Sequence, residues 1–207
     1  MSKTLKCKAT LTEDMLGTCS NNPEIHADFI AGGAPDAPSR EEEIEAIGVD
    51  EMVEKSMTVF PRLNGKPDGQ PFMWDYQIKG FLKEAAKDMA RVTGSEVSKT
   101  KAYLKIINGC VHVFPRKIPL VYEGAEQGVV GNMQRPLRGQ TAQGERITLA
   151  NSETVPAGTT FEFEIKMLDG KFEKLIRELL DFAQYKGFLQ WRNSGYGRAT
   201  IEVEEIA

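Results

Sequence analysis

Histidine and cysteine are scarce in this sequence. Only His26 and His112 are present, with three scattered cysteines, Cys7, Cys19 and Cys110, and no C-x-x-C pair. That set does not supply the ligand spacing of a structural zinc site, so neither a metal nor another cofactor is expected. Three unpatterned cysteines read as free thiols in a reducing compartment, which points to the cytoplasm. Long apolar runs are also missing. No stretch of about 18 apolar residues exists, so no transmembrane helix and no membrane partner are expected. The opening "MSKTLKCKAT" has no apolar h-region, so no secretory leader is expected. Positive charge is not in excess either: 26 Lys and Arg stand against 30 Asp and Glu, a net charge of −4. Taken alone, this argues against a general nucleic-acid binder, because phosphate contacts need Lys and Arg. The acid is concentrated, however. The stretch "REEEIEAIGVDEMVEK" holds seven acids and two bases, and outside it 23 acids face 24 bases, which leaves room for a basic face elsewhere.

What is present reads as an ordinary globular chain of 207 residues, 41% apolar and 27% charged. "KTLKCKATL" alternates, with Leu5, Cys7, Ala9 and Leu11 on one face and Lys6, Lys8 and Thr10 on the other, a half-buried strand. Gly17 to Arg40 is loop-like. "SREEEIEAIGVDEMVEK" is expected to be helical with Ser39 as its cap, and "MTVF" to be a short strand. Ile78, Phe81, Leu82, Ala85, Ala86 and Met89 recur at helical spacing behind an Asp75 cap. "AYLKIINGCVHVF" predicts a hairpin turning at Asn108-Gly109. Residues 116–145 show little periodicity and form a long excursion. "RITLA", "TTFEFEIKML" and "ATIEVEE" predict strands, and "KFEKLIRELLDFAQYK" the clearest helix.

The order is strand, helix, hairpin, excursion, strand, helix, strand. It predicts an α+β, ferredoxin-like or RRM-like antiparallel sheet with both helices on one face, an inserted acidic helix within 17–56 and the excursion at 116–145. One domain over residues 1–207 is expected. His112 shares a strand face with Cys110 and Phe114, opposite Val111 and Val113; if that face is the open one, it could meet a ligand.

The chemistry concentrates in "GFLQWRNSGYGRATIEV", from Gly187. Gly195 and Gly197 bracket Tyr196, and glycine lets a backbone approach a ligand closely. Arg192 and Arg198 add charge there, and Trp191 or Tyr196 offers a stacking platform. A structural alternative is a tight connector whose aromatics pack in the core.

This segment resembles the C-terminal glycine-rich signature of the RAMP superfamily, the RRM-like proteins of CRISPR effector complexes. "PFMWDYQIKGFLKEAA" resembles that family's helix start, through Gln77, Ile78, Lys79, Gly80 and Lys83. "ETVPAGTTFEFEI" looks like its entry into a central strand, and "LTEDMLGT" is similar to its first strand and turn. Trp74, Asp75 and Tyr76 depart from it, standing where the family has small residues. The resemblance, which covers most of the chain, implies a non-catalytic protein of antiviral defence that binds single-stranded guide-type RNA, stacks as a homo-oligomer or with effector-complex subunits, and uses the excursion as a thumb. It implies RNA contacts at Lys79, Lys83, Arg116, Lys117, Arg135, Arg138, Trp191, Arg192, Gly195, Tyr196, Gly197 and Arg198. Two other readings stand beside it. The acidic balance fits a protein-binding decoy of such a subunit, as a mobile element would use. An endoribonuclease would draw on His26, Asp28 or Asp36.

Overall fold

The computed structural model describes residues 1–20, 57–66, 68–122, 131–141 and 144–206. The predicted acidic helix, and with it His26, Asp28 and Asp36, lies outside the described residues.

The alternation of the first segment is realised as β1 (Lys3–Leu11), whose Leu5, Cys7, Ala9 and Leu11 are buried. It is the second strand of a four-stranded antiparallel sheet. Beside it on one side runs β11 (Ala199–Ile206). On the other run β10 (Thr160–Met167) and then β6 (Val111–Phe114). Counting only these strands, the order is fourth, first, third, second, with a helix after the first and another after the third. That is the ferredoxin-like βαββαβ arrangement. The helices are α1 (Asp75–Met89) and α4 (Glu173–Asp181), and they pack on each other. Ile78, Phe81 and Leu82 of α1 and Leu175, Ile176 and Leu179 of α4 meet Phe161, Phe163 and Ile165 of β10 in one core. Each such Leu, Ile or Phe contributes about 1.5–3 kcal/mol of burial.

Two expected elements differ. Residues 103–110 are not a strand: they form α3 (Tyr103–Cys110), which runs directly into β6. The β-rich composition had suggested a strand, but Tyr103 and Ile107 are one helical turn apart, and Ile107 is fully buried against α1. Asn108 and Gly109 therefore sit in the last turn of a helix, not at a hairpin bend. Residues 146–149 do not join the central sheet. They belong to β9 (Gly144–Val155), which pairs along its length with β8 (Gly131–Thr141). The other edge of β9 pairs with β2 (Met15–Leu16) and, in parallel, with β4 (Met57–Val59), which also holds β3 (Cys19–Ser20). The excursion thus carries a long hairpin in a second sheet. A ribbon of β5 (Phe72–Trp74) and β7 (Lys117–Pro119) abuts the start of α1. Asp75 is the first residue inside α1 rather than its cap; the Gln77 side-chain oxygen accepts from the Trp74 N–H at 2.9 Å. A short α2 (Glu96–Lys99), capped by Ser95, precedes α3.

Cys7 and Cys19 are buried, and Cys110 is partly buried. Burial pushes the Cys7 thiol up to about 12, with Arg177 opposing weakly. The reactive species is the thiolate. Maleimide labelling of the native protein at neutral pH is therefore expected to modify Cys110, which is only partly buried, and to leave Cys7 untouched until denaturant is added. Early modification of Cys7 in a peptide map would contradict this packing.

Candidate nucleic-acid interface

The segment from Gly187 to Arg198 crosses over itself. A Cβ on Gly187 would lie 1.8 Å from the Tyr196 carbonyl oxygen, and one on Gly197 would lie 2.4 Å from that of Phe188. The Phe188 N–H donates to the Gly197 carbonyl at 2.9 Å, closing the crossing. Phe188 is fully buried, its ring 4.4 Å from Phe81 and 5.4 Å from Phe161. Here the connector account holds: Gly187 and Gly197 let backbone meet backbone. Four residues adopt positive φ, namely Leu189, Trp191, Gly195 and Gly197. Two of these carry side chains, so the loop is held in a sparsely populated conformation by its surroundings.

Beyond that crossing, the loop presents its polar groups in two places. The first is against the hairpin. The Arg135 guanidinium of β8 lies 3.4 Å from the Trp191 ring centroid and donates to Gln190 Oε1 at 3.3 Å. Arg135 is 7% exposed, and its Nε and Nη1 have no hydrogen-bond partner among the described residues. Burial lowers its pKa from the ordinary arginine value, opposed by Tyr196. The Tyr196 ring stands 6.3 Å from that of Trp191. The excursion and the glycine-rich loop, 55 residues apart in sequence, thus share one stacked cluster. Gln190, within the glycine-rich segment but not singled out there, and Ser152, outside every motif, join it.

The second place is a cleft of about 360 Å³ lined by Glu13, Asp14, Ser194, Gly195, Tyr196 and Arg198. The Arg198 guanidinium carbon lies 3.5 Å from where a Cβ on Gly195 would sit, an ordinary contact distance, so it is the φ of +96° rather than the space that calls for glycine there. No side-chain hydrogen bond or ion pair holds Arg198 among the described residues, and its Nε is buried without a partner. Arg192 is placed otherwise: it pairs with Glu84 on α1, a carboxylate that Lys186 also approaches at 3.4 Å.

The remaining predicted residues gather around the start of α1. Lys79 is 8% exposed and donates to the Asn108 carbonyl at 3.0 Å. It lines a groove of about 260 Å³ with Asp75, Tyr76, His112, Phe114 and Arg116. Lys83 follows one turn later on α1. Arg116 lies 3.8 Å from Asp75 and over the Trp74 ring at 5.6 Å, and Lys117 over Phe72 and Trp74 at 5.4 and 5.6 Å. Trp74 is fully buried, so it does not stand in the way at the surface. Arg138 lies on β8 opposite Ile147. His112 and Phe114 do lie on the open sheet face, since Val111 and Val113 point into the core. Phe114 is 45% exposed with the Lys166 ammonium 4.9 Å from its ring, a cation–π contact that only the strand pairing reveals. The rest of that face carries Glu162, Glu164, Glu202 and Glu204 beside Lys6 and Lys8.

No family model matches the chain, and no curated protein matches its sequence. Solved structures share its fold. One is a chain in the cryo-EM structure of the Type III-B Cmr-beta bound to cognate target RNA. The match covers 99% of this chain and 61% of that one, with a TM-score of 0.53 and 11% identity. The chain thus spans less than two thirds of that neighbour's length. Another is a chain of a Type IV-B CRISPR complex, matched over 97% of this chain and 90% of that one, with a TM-score of 0.53 and 12% identity. At these identities the likeness is one of fold.

Proposed function

We propose that this protein is a non-catalytic RNA-binding subunit of the RAMP type, which holds single-stranded guide-type RNA in a CRISPR-like complex in the cytoplasm. The observation that carries this reading is the joining of two separate segments at one stacked cluster. Arg135 on Trp191, with Tyr196 beside them and Arg198 unpaired next door, combines cations with aromatic faces. Single-stranded nucleic acid is held by that combination, bases on rings and phosphates on Lys and Arg. The solved neighbours, one a chain from a complex bound to cognate target RNA and one a chain of a CRISPR complex, support the same reading. The β8–β9 hairpin is then the thumb-like part of the chain, and Lys79, Lys83, Arg116 and Lys117 extend the path along α1.

A decoy that binds only protein is the second reading. The open sheet face, with four glutamates against Lys6, Lys8 and Lys166, favours it, because its carboxylates would disfavour a phosphate backbone.

The two arginines of the loop separate function from structure. Arg198→Ala is expected to weaken binding of a labelled single-stranded RNA about tenfold, the worth of one charge-assisted hydrogen bond. The salt slope is expected to fall by about 0.7 for each phosphate that no longer meets an arginine. Arg192→Ala removes a half-exposed ion pair with Glu84, so it is expected to cost up to about 1 kcal/mol of stability and little affinity. Fluorescence anisotropy across salt, with thermal melts, reads both. Wild-type protein without RNA affinity at low salt would leave the decoy reading ahead.

A further inference from the structure

The cleft beside Arg198 contains more than a phosphate site requires. Two carboxylates, Glu13 and Asp14, line it together with the guanidinium. The turn that carries them is fixed by backbone bonds. The Gly197 N–H donates to the Asp14 carbonyl at 2.8 Å, and the Thr12 N–H to the Arg198 carbonyl at 2.8 Å, so the β1–β2 turn is strapped to the glycine-rich loop. Yet no ion pair forms between Arg198 and either acid among the described residues. Opposite charges share one cleft and stay apart, with about 360 Å³ of space between the lining groups. A site for phosphate alone gains nothing from an acidic wall, which repels the ligand. The wall gains a purpose when the ligand also carries a hydroxyl donor close to its phosphate. An ionised carboxylate accepts hydrogen bonds and cannot donate, so it recognises a donor only. Asp14 Oδ1 accepts from the Ala157 N–H at 3.0 Å, which ties that carboxylate to the turn, whereas Glu13, exposed and with no hydrogen bond or ion pair among the described residues, has both oxygens open as acceptors.

We infer that this cleft selects ribonucleotides over deoxyribonucleotides: Arg198 takes a backbone phosphate, Tyr196 offers its ring to the base, and Glu13 accepts the hydrogen bond of the ribose 2′-hydroxyl. This rests on the RNA-binding reading and specifies how that same site tells its ligand. The 2′-hydroxyl is the group that distinguishes the two polymers at a given position. With DNA, Glu13 has no donor to meet, and its charge faces the phosphates uncompensated.

The test is anisotropy with two labelled single-stranded oligonucleotides of one unstructured sequence, one RNA and one DNA, at low salt. The wild type is expected to bind RNA about tenfold more tightly than DNA, the worth of one hydrogen bond to a charged group. Glu13→Ala is expected to abolish that ratio, RNA losing the hydrogen bond while DNA is relieved of the facing charge. Because Glu13 is exposed, the variant is expected to melt with the wild type. Glu13→Gln, which keeps a carbonyl acceptor but no charge, is expected to retain part of the preference. Equal binding of RNA and DNA by the wild type would overturn the inference and leave RNA binding standing. An RNA preference that survives Glu13→Ala would overturn the assignment to this cleft. Absence of binding to either polymer would overturn the inference together with the reading beneath it.

Discussion

Gly187→Ala is expected to lower the unfolding free energy by about 3 kcal/mol, the upper end of what overpacking costs. The added Cβ would lie 1.8 Å from the Tyr196 carbonyl oxygen, 2.5 Å from the Gly197 carbonyl carbon and 2.7 Å from the Arg198 nitrogen. All three are backbone atoms, so no side-chain rotation relieves the clash. The two crossing strands of the loop must separate, and the bond from the Phe188 N–H to the Gly197 carbonyl breaks with them. Phe188, which fills the space between Phe81 and Phe161, is drawn out of register. RNA affinity should fall as well, because the same crossing sets the positions of Tyr196 and Arg198. Gly80→Ala provides the contrast. Nothing lies within 4 Å of a Cβ there, and Gly80 is inside α1. That change should stabilise the protein by about 0.5–1 kcal/mol through helix propensity alone. Urea denaturation of the two variants reads both; a Gly187→Ala protein as stable as the wild type would show that the crossing is looser than described.

Removing the Glu153 carboxylate should cost about 3–5 kcal/mol, for a different reason. Glu153 sits on β9 and accepts from Arg62 Nη2 at 2.8 Å and from the Phe60 N–H at 2.7 Å. Arg62 is buried at 5% exposure and Glu153 is largely covered at 15%. Burial raises the Glu153 pKa and lowers that of Arg62, in each case against the attraction of the other. Desolvation therefore exceeds the Coulomb gain on both sides of the pair. Such a pair is costly to break singly, because the surviving charge stays buried and alone. Glu153→Ala should accordingly destabilise strongly, whereas replacing Arg62 and Glu153 together by apolar residues should cost much less than the two single changes added. A double-mutant cycle by chemical denaturation measures that difference, and simple additivity would contradict the coupling. The pH dependence has a definite sign. A carboxyl with a raised folded pKa binds its proton more tightly when folded, so its contribution to stability falls as pH rises from the unfolded glutamate value through the folded one. This opposes the usual acid sensitivity of exposed pairs such as Lys3–Glu173, where Lys3 and Arg177 hold the carboxyl below its ordinary range.

The sheet was legible wherever a strand is buried on one face only. Leu5, Cys7, Ala9 and Leu11 alternate with lysines, and Phe161, Phe163 and Ile165 with glutamates, so period and orientation followed directly. The helix stripes of α1 and α4 were legible for the same reason. Tyr103 to Cys110 was not, because a short β-rich run with a turn-like Asn-Gly pair satisfies either period, and packing against α1 decides the matter. The hairpin of β8 and β9 gave little signal, and its strands pair with each other along their length.

From the sequence by itself came the ferredoxin-like order of elements, the half-buried faces, the absence of zinc-type ligand spacing, and the glycine-rich segment as the place to look. Which of its arginines is unpaired was a matter for the tertiary structure. Arg192 and Arg198 read alike in "WRNSGYGRA", but one meets Glu84 on a helix 108 residues away and the other lies on Gly195 beside the β1–β2 turn. The stack of Arg135 on Trp191 and the pairing of Arg62 with Glu153 have the same origin. Local pattern encodes period and burial, because both arise between neighbours in the chain. Charge pairing and ring stacking are contacts of a few ångströms between segments far apart in sequence, and only the packing of sheet, helix and hairpin brings them together.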